Sequence, residues 1–180
     1  MGPPRAADII RDAIFRGADG GYLLTDRKFA GSDTLATSYA LSCALRKIQP
    51  DVIVAGRQAI DGDTAQVGPQ VAEKLGLPQV TYAEEILEIK DKSLVIKRRL
   101  EHGTEVVECP IPAVVTVNAS AAECRPKNAR RVMKFKNAMT APRSLRNRRR
   151  KLPRWPRRSP TCRFSSGVPP MSIRTITSWA

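Results

Sequence analysis

Apolar and polar positions follow two rhythms along this chain. In "AADIIRDAIFRGA", Ala6, Ile9, Ile10, Ala13 and Ile14 recur at steps of three and four, which predicts a helix ended by Gly17. Pro3 and Pro4 precede it, as suits a first turn. "GGYLLTD" then predicts a short strand, Tyr22 to Leu24. In "RKFAGSDTLATSYALSCALRKIQPD", Ser32 or Asp33 is placed to cap a second helix. Leu35, Tyr39, Leu41, Ala44, Leu45 and Ile48 would form its buried stripe up to Pro50. "DVIVAG" has the continuous apolar character of a buried strand, and "QVAEKLGLPQV" that of a helix stopped by Gly76 and Pro78.

Further on the rhythm changes to a period of two. Leu87 and Ile89, Leu94 and Ile96, and Val106 and Val107 flank the turn sequences "KDKS" and "EHGT", which predicts antiparallel hairpin strands. "AVVTV" returns to a continuous apolar run suited to a buried sheet position. Helix alternating with strand, then hairpins, predicts an α/β fold: an open, mostly parallel, Rossmann-like sheet with an antiparallel hairpin insertion. Such a sheet ordinarily opens on a central strand, whereas the first predicted element here is a helix, so an edge-opening fold and a missing first strand both fit. After about Asn137 the periodicity stops. The expected organisation is a nucleotide-binding domain over 1–137 and an irregular, basic, Arg/Pro/Ser-rich tail over 138–180.

Charge sharpens that boundary. The net charge of +14 invites a nucleic-acid reading, yet residues 1–124 carry 14 basic and 17 acidic side chains, and residues 125–180 carry 17 basic and none acidic. The excess belongs to the tail, where "RNRRRKLPRWPRR" would bind polyanions without sequence preference; specific nucleic-acid binding is not expected. The loss of every acid at one point also fits an out-of-frame continuation, which resequencing the coding region would decide. No apolar run approaches 18 residues and the start lacks a secretory layout, so a cytoplasmic protein with no membrane insertion is expected. Cys43, Cys109, Cys124 and Cys162 show no metal spacing and read as idle thiols. His102 falls in a hairpin turn and reads as solvated.

The densest candidate chemistry is "GRQAIDGDTAQVGP", residues 56–69, leaving the "DVIVA" strand. Connections of this kind usually take two to six residues, and a longer one commonly holds a ligand. In open α/β sheets, ligands settle beyond the carboxyl ends of strands where a loop enters a helix. Gly56 permits close backbone approach, Gly62 and Gly68 supply conformational freedom or room, and Asp63, Thr64, Ala65, Gln66 and Val67 lead into a helix whose amides favour an anion. Gln58 and Gln66 suit a ribose or base edge. A second reading stands beside this one: Asp63 caps the helix with Gln66 as partner, and nothing binds. Asp61 and Asp63 lack the third ligand of a metal site. The stretch is neither a P-loop nor GxGxxG.

The run "VAGRQAIDGDTAQVGPQVAEKLGLPQV" closely resembles the electron transfer flavoprotein β-subunit family, and "MGPPRAADIIRDAIFRGADGGYLLTDRKFAGSDTLATSYALSCALRKIQPD" and "IPAVVTV" match the same family. The likeness covers roughly residues 1–136, and the central motif is most similar to bifurcating or anaerobic-type members. It implies a heterodimer with an α-subunit, FAD as the redox group, and AMP or a second FAD in the β-site. It further implies that Gly56, Gln58, Ala59, Asp61, Gly62, Asp63, Thr64, Ala65, Gln66, Val67 and Gly68 contact that nucleotide, with Asp33 and Thr34 from "AGSDTLA" either contacting it or capping a helix. "ASAAECRPKNARRVMKFKN" is similar to the segment that docks an acyl-CoA dehydrogenase, which implies partner recognition by Glu123, Arg125, Ala129 and Met133. The family's opening strand and C-terminal arm have no counterpart here, so a chain incomplete at its N-terminus is expected.

Three functions follow as expectations. The first is an electron-carrier subunit without catalytic residues of its own, serving fatty acid oxidation or a related redox route. The second is a non-redox adenine-nucleotide-binding regulatory module on the same scaffold, which fold alone does not separate from the first. The third, nucleic-acid binding through the tail, is disfavoured by the charge distribution.

Overall fold

The computed structural model describes residues 1–60, 62–138, 141–142 and 173–176. The fold is α/β, and the chain divides into two compact units, residues 32–123 and residues 1–31 with 124–180.

The first of these opens with α1, Thr34–Ile48, and continues through β1, Val52–Gly56, and α2, Val67–Leu75. Then follow β2, Gln79–Ile89, β3, Ser93–Leu100, β4, Gly103–Pro110, and β5, Ala113–Val117. The five strands form one sheet in the order β1-β5-β2-β3-β4. β1, β5 and β2 run parallel, whereas β2, β3 and β4 form an antiparallel meander. Both rhythms in the sequence are therefore present, each in its own half of the sheet. The core lies where they meet: Val80, Ala83, Leu94, Ile96, Cys109, Ala113 and Val115 are buried together. β5 is buried on both faces through Ala113, Val114, Val115 and Thr116, as its unbroken apolar run requires.

Two expectations about burial are corrected. β1 is an edge strand, paired only with β5 among the described residues, and Val54 in its middle is 61% exposed. Of the stripe expected inside α1, Ala44 is buried and Leu41 and Leu45 are half-buried, but Leu35, Tyr39 and Ile48 are exposed, and Ser38, Ala40, Ser42 and Cys43 are buried instead. Small side chains let α1 approach α2 closely, and the two buried hydroxyls are satisfied within the helix: Ser38 donates to the Leu35 carbonyl at 2.9 Å and Ser42 to the Tyr39 carbonyl at 2.8 Å. Asp33 caps α1, accepting from the Ala36 amide at 2.7 Å. His102 is exposed in the turn between β3 and β4, as expected.

The other unit contains α3, Ala7–Phe15, β6, Gly21–Leu24, and α4, Ala129–Phe135. α3 ends as its sequence predicts, with Gly17 at φ 123°. Ile14 is buried but Ile9 is exposed, so only part of the expected stripe is used. The expected tail lies mostly outside the described residues. Within it, β7, Ala141–Pro142, and β8, Ile173–Ile176, form a parallel sheet in the order β6-β8-β7. β8 was not foreseen, although Ile173, Thr175 and Ile176 are β-branched residues that suit a strand. Of the cysteines, Cys43 is disulfide-bonded, contrary to the expectation of idle thiols, whereas Cys109 and Cys124 are free.

Asp12 joins the segment before α4 to α3. Its carboxylate accepts from Lys127 and, at 2.9 Å, from Arg16, and these two bonds, Lys127 first, hold its pKa below the ordinary carboxylate value. A carboxylate depressed in the folded state stabilises above its unfolded pKa, and that contribution fades as pH falls toward the folded value. Melting curves from pH 7 to pH 3 should therefore show a larger acid-induced loss in the unaltered chain than in Asp12→Asn.

Candidate functional site

The carboxyl ends of β1 and β5 open onto the loop before α2. β1 ends at Gly56, and the Arg57 amide extends the ladder by donating to the Val117 carbonyl at 3.1 Å. Beyond it Gln58, Ala59 and Ile60 are exposed. The Asp63 amide donates to the Ala59 carbonyl at 3.0 Å, closing a turn, and the Gln58 side chain donates to the Asp63 carboxylate. Asp61 lies outside the described residues.

Asp63 does not cap α2, which corrects the second reading given above. The N-cap is Gln66, and its side chain makes no capping bond. Gln66 instead accepts at 3.1 Å from the Thr34 hydroxyl, so the first turn of α1 is fastened to this loop. Of the pair expected from "AGSDTLA", Thr34 reaches the loop and Asp33 serves as a cap.

The backbone freedom expected of Gly62 and Gly68 falls on their neighbours. Asp63 and Ala65 occupy the left-handed region, at φ 47° and 52°. Such conformations cost a non-glycine residue roughly 1–3 kcal/mol and cluster at ligand sites. Gly68 is buried, with no positive φ, and serves close packing: a Cβ there would lie 2.8 Å from the Thr116 methyl and 3.7 Å from the Ala55 methyl. No hydrogen bond among the described residues engages the amides of Thr64, Ala65, Gln66, Val67 or Gly68. Thr64 and Gln66 are exposed and Ala65 half-buried along this run, and backbone amides so placed suit a phosphate held on main chain.

The sequence reading missed the residues on the sheet side of this loop. Tyr82 sits in a β-bulge of β2, at φ 58°, where the register with β5 shifts between Val80 and Ala83. Its amide donates at 3.2 Å to the hydroxyl of buried Thr116, and the Arg57 guanidinium lies over its ring, 5.4 Å from the centroid. Beyond β5, Ser120 donates to Glu84, which also pairs with Arg99 at 3.2 Å. The Ser120 bond and then the Arg99 bond keep the Glu84 carboxyl below its ordinary pKa. No cluster of three or more His, Cys, Asp or Glu that could hold a metal occurs among the described residues.

The expected partner-recognition residues lie in and before α4. Ala129 and Met133 are exposed, Met133 at 68%, and Asn128 caps the helix by accepting from the Arg131 amide at 3.2 Å. The Arg125 carbonyl accepts from Arg16 at 2.9 Å, while Glu123 is exposed.

The model of the electron transfer flavoprotein domain family matches residues 1–141. The chain belongs to that family. Its sequence is of the β-subunit type: it is 54% identical over 116 residues to an electron transfer flavoprotein subunit beta of Thermoanaerobacterium thermosaccharolyticum, an alignment covering 64% of this chain and 44% of that protein. It is 50% identical over 117 residues to the caffeyl-CoA reductase-Etf complex subunit CarD of Acetobacterium woodii, with the same coverage, 64% and 44%. To the electron transfer flavoprotein subunit beta of Megasphaera elsdenii it is 46% identical over 143 residues, or 76% of this chain and 53% of that protein. The chain thus spans about half the length of the curated relatives it matches. None of its described helices is long and apolar enough to cross a membrane.

Proposed function

We propose that the chain is the nucleotide-holding part of an electron-carrier β-subunit. It binds AMP or FAD on the Gly56–Gly68 loop, pairs with an α-subunit, and serves transfer between an acyl-CoA dehydrogenase-type flavoenzyme and other carriers in the cytoplasm. The observation that carries this reading is the run of amides from Thr64 to Gly68, at the mouth of the parallel strands, that no hydrogen bond engages among the described residues. Gly56 and Gly62 have open space where a side chain would stand, Thr34 and Gln66 close one side, and Gln58 presents an amide beside Asp63. These residues fit a nucleotide's phosphates and ribose. The bound flavin supplies the redox chemistry, and the protein's share is placement and electrostatics. No residue of the chain is assigned a bond-making role. Glu123, Arg125, Ala129 and Met133 form the proposed docking segment for the flavoenzyme, and 138–180 stays a basic tail without specific nucleic-acid binding.

The test is to co-express the full chain with an α-subunit of the family, purify the complex, denature it and identify the released nucleotides by mass spectrometry. AMP or FAD in stoichiometric amount is expected, together with a flavin absorbance spectrum. A folded complex that releases no adenine nucleotide overturns the reading.

A further inference from the structure

The proposed loop carries an electrostatic puzzle. A phosphate brings negative charge, and the segment 51–68 already holds Asp51, Asp61 and Asp63 against a single basic residue, Arg57. Arg57 has no carboxylate partner among the described residues. It stands at the carboxyl end of β1 with its amide tied to Val117, so the position of its backbone is fixed by the sheet. Its guanidinium lies over the Tyr82 ring, 5.4 Å from the centroid, a cation–π contact. A cation–π contact uses none of the guanidinium's N–H donors, so the fork that recognises phosphate in a two-pronged fashion is not consumed by it.

The stacking partner is itself held in an unfavourable conformation. A bulky aromatic residue at positive φ is a backbone outlier, kept only where surrounding structure enforces it. Here the enforcement comes from Thr116, 4% exposed, whose hydroxyl accepts from the Tyr82 amide. The methyl of the same side chain abuts Gly68 in the first turn of α2. One buried side chain thus touches both the bulge that presents Tyr82 and the helix turn that carries the unengaged amides.

We propose that Arg57 is the phosphate-charge residue of the nucleotide site, with Tyr82 and Thr116 as positioning residues that hold its guanidinium. Arg57 confers preference for a phosphorylated over an unphosphorylated adenosine compound. This inference rests on the nucleotide reading above and adds the group that discriminates.

Titration calorimetry of the full 180-residue chain with AMP and with adenosine tests it. The unaltered chain should prefer AMP, and Arg57→Gln should lose about ten-fold or more of that preference while its adenosine affinity holds. AMP affinity should fall with added NaCl in the unaltered chain and lose that dependence in Arg57→Gln. Thr116→Val, which removes the hydroxyl at nearly constant volume, should shrink the preference, and Thr116→Ser, which keeps the hydroxyl, should retain it. If AMP is preferred and Arg57→Gln keeps both the preference and the salt dependence, the assignment to Arg57 is wrong while the nucleotide reading stands. If neither compound binds the unaltered chain, the assignment to Arg57 is overturned, and the nucleotide reading falls with it only where the complex with an α-subunit also releases no adenine nucleotide. Should Arg57→Gln fail to fold, the Thr116 pair decides: equal preference in Thr116→Val and Thr116→Ser overturns the assignment.

Discussion

Gly68→Ala is expected to destabilise the unit formed by residues 32–123 and to weaken nucleotide binding at the same time. The new methyl would lie 2.8 Å from the Thr116 methyl, and Thr116 belongs to a strand pinned on both sides by β1 and β2. Overpacking of this kind costs about 1–3 kcal/mol. Alanine's higher helix propensity returns up to ~1 kcal/mol, less in a first turn. A net loss of about 1–2 kcal/mol in urea denaturation follows. Adding Thr116→Ser removes the opposing methyl, so the double variant should recover most of the loss, and the coupling between the two changes measures the contact itself. Equal stability of Gly68→Ala and the unaltered chain would show that α2 does not approach β5 as described.

Ile96→Ala should have the larger effect on the fold. Ile96 is 0% exposed and stands in register between Ile86 of β2 and Val107 of β4, beside the buried pair Leu94 and Cys109. Truncating a buried isoleucine costs about 2–5 kcal/mol, because the cavity collapses only in part. Ile89, 73% exposed on the same meander, provides the control: its alanine variant should stay within about 0.5 kcal/mol of the unaltered chain. If the two variants unfold at the same denaturant concentration, the meander does not contribute the core described here.

Much of this architecture is legible in the residues themselves. "AVVTV" predicts a buried strand, and Ala113 to Thr116 are buried as that run demands. The period of two around "KDKS" and "EHGT" predicts the meander, because alternation is what a sheet with one covered face requires. Asp33 was placed correctly as a capping candidate, since a cap depends only on neighbours three residues away.

What escaped the sequence depends on contacts distant along the chain. α1 leaves Leu35, Tyr39 and Ile48 of its expected stripe exposed because close approach of α2 selects small side chains, and periodicity does not reveal which face a neighbour prefers. Asp63 looked like a cap by spacing, yet its carboxylate receives the Gln58 amide. Gly62 and Gly68 were expected to carry the special backbone angles, which fall on Asp63 and Ala65. The pairing of Arg57 with Tyr82 spans a bulge with no sequence signature. One signal was visible even so: Arg57 is the sole cation of a loop proposed to hold an anion.

Among the described residues one rim of β1 is unpaired, which has a practical consequence for handling the protein. Its outward N–H and C=O groups offer a template onto which a neighbouring copy's extended segment can zip, and Val54 adds a greasy foothold. Mutual repulsion from the cationic C-terminal third opposes that zipping in dilute buffer, and added salt mutes the repulsion. Shelf life in concentrated stocks is thereby tied to ionic strength, with gelation favoured at the saline end.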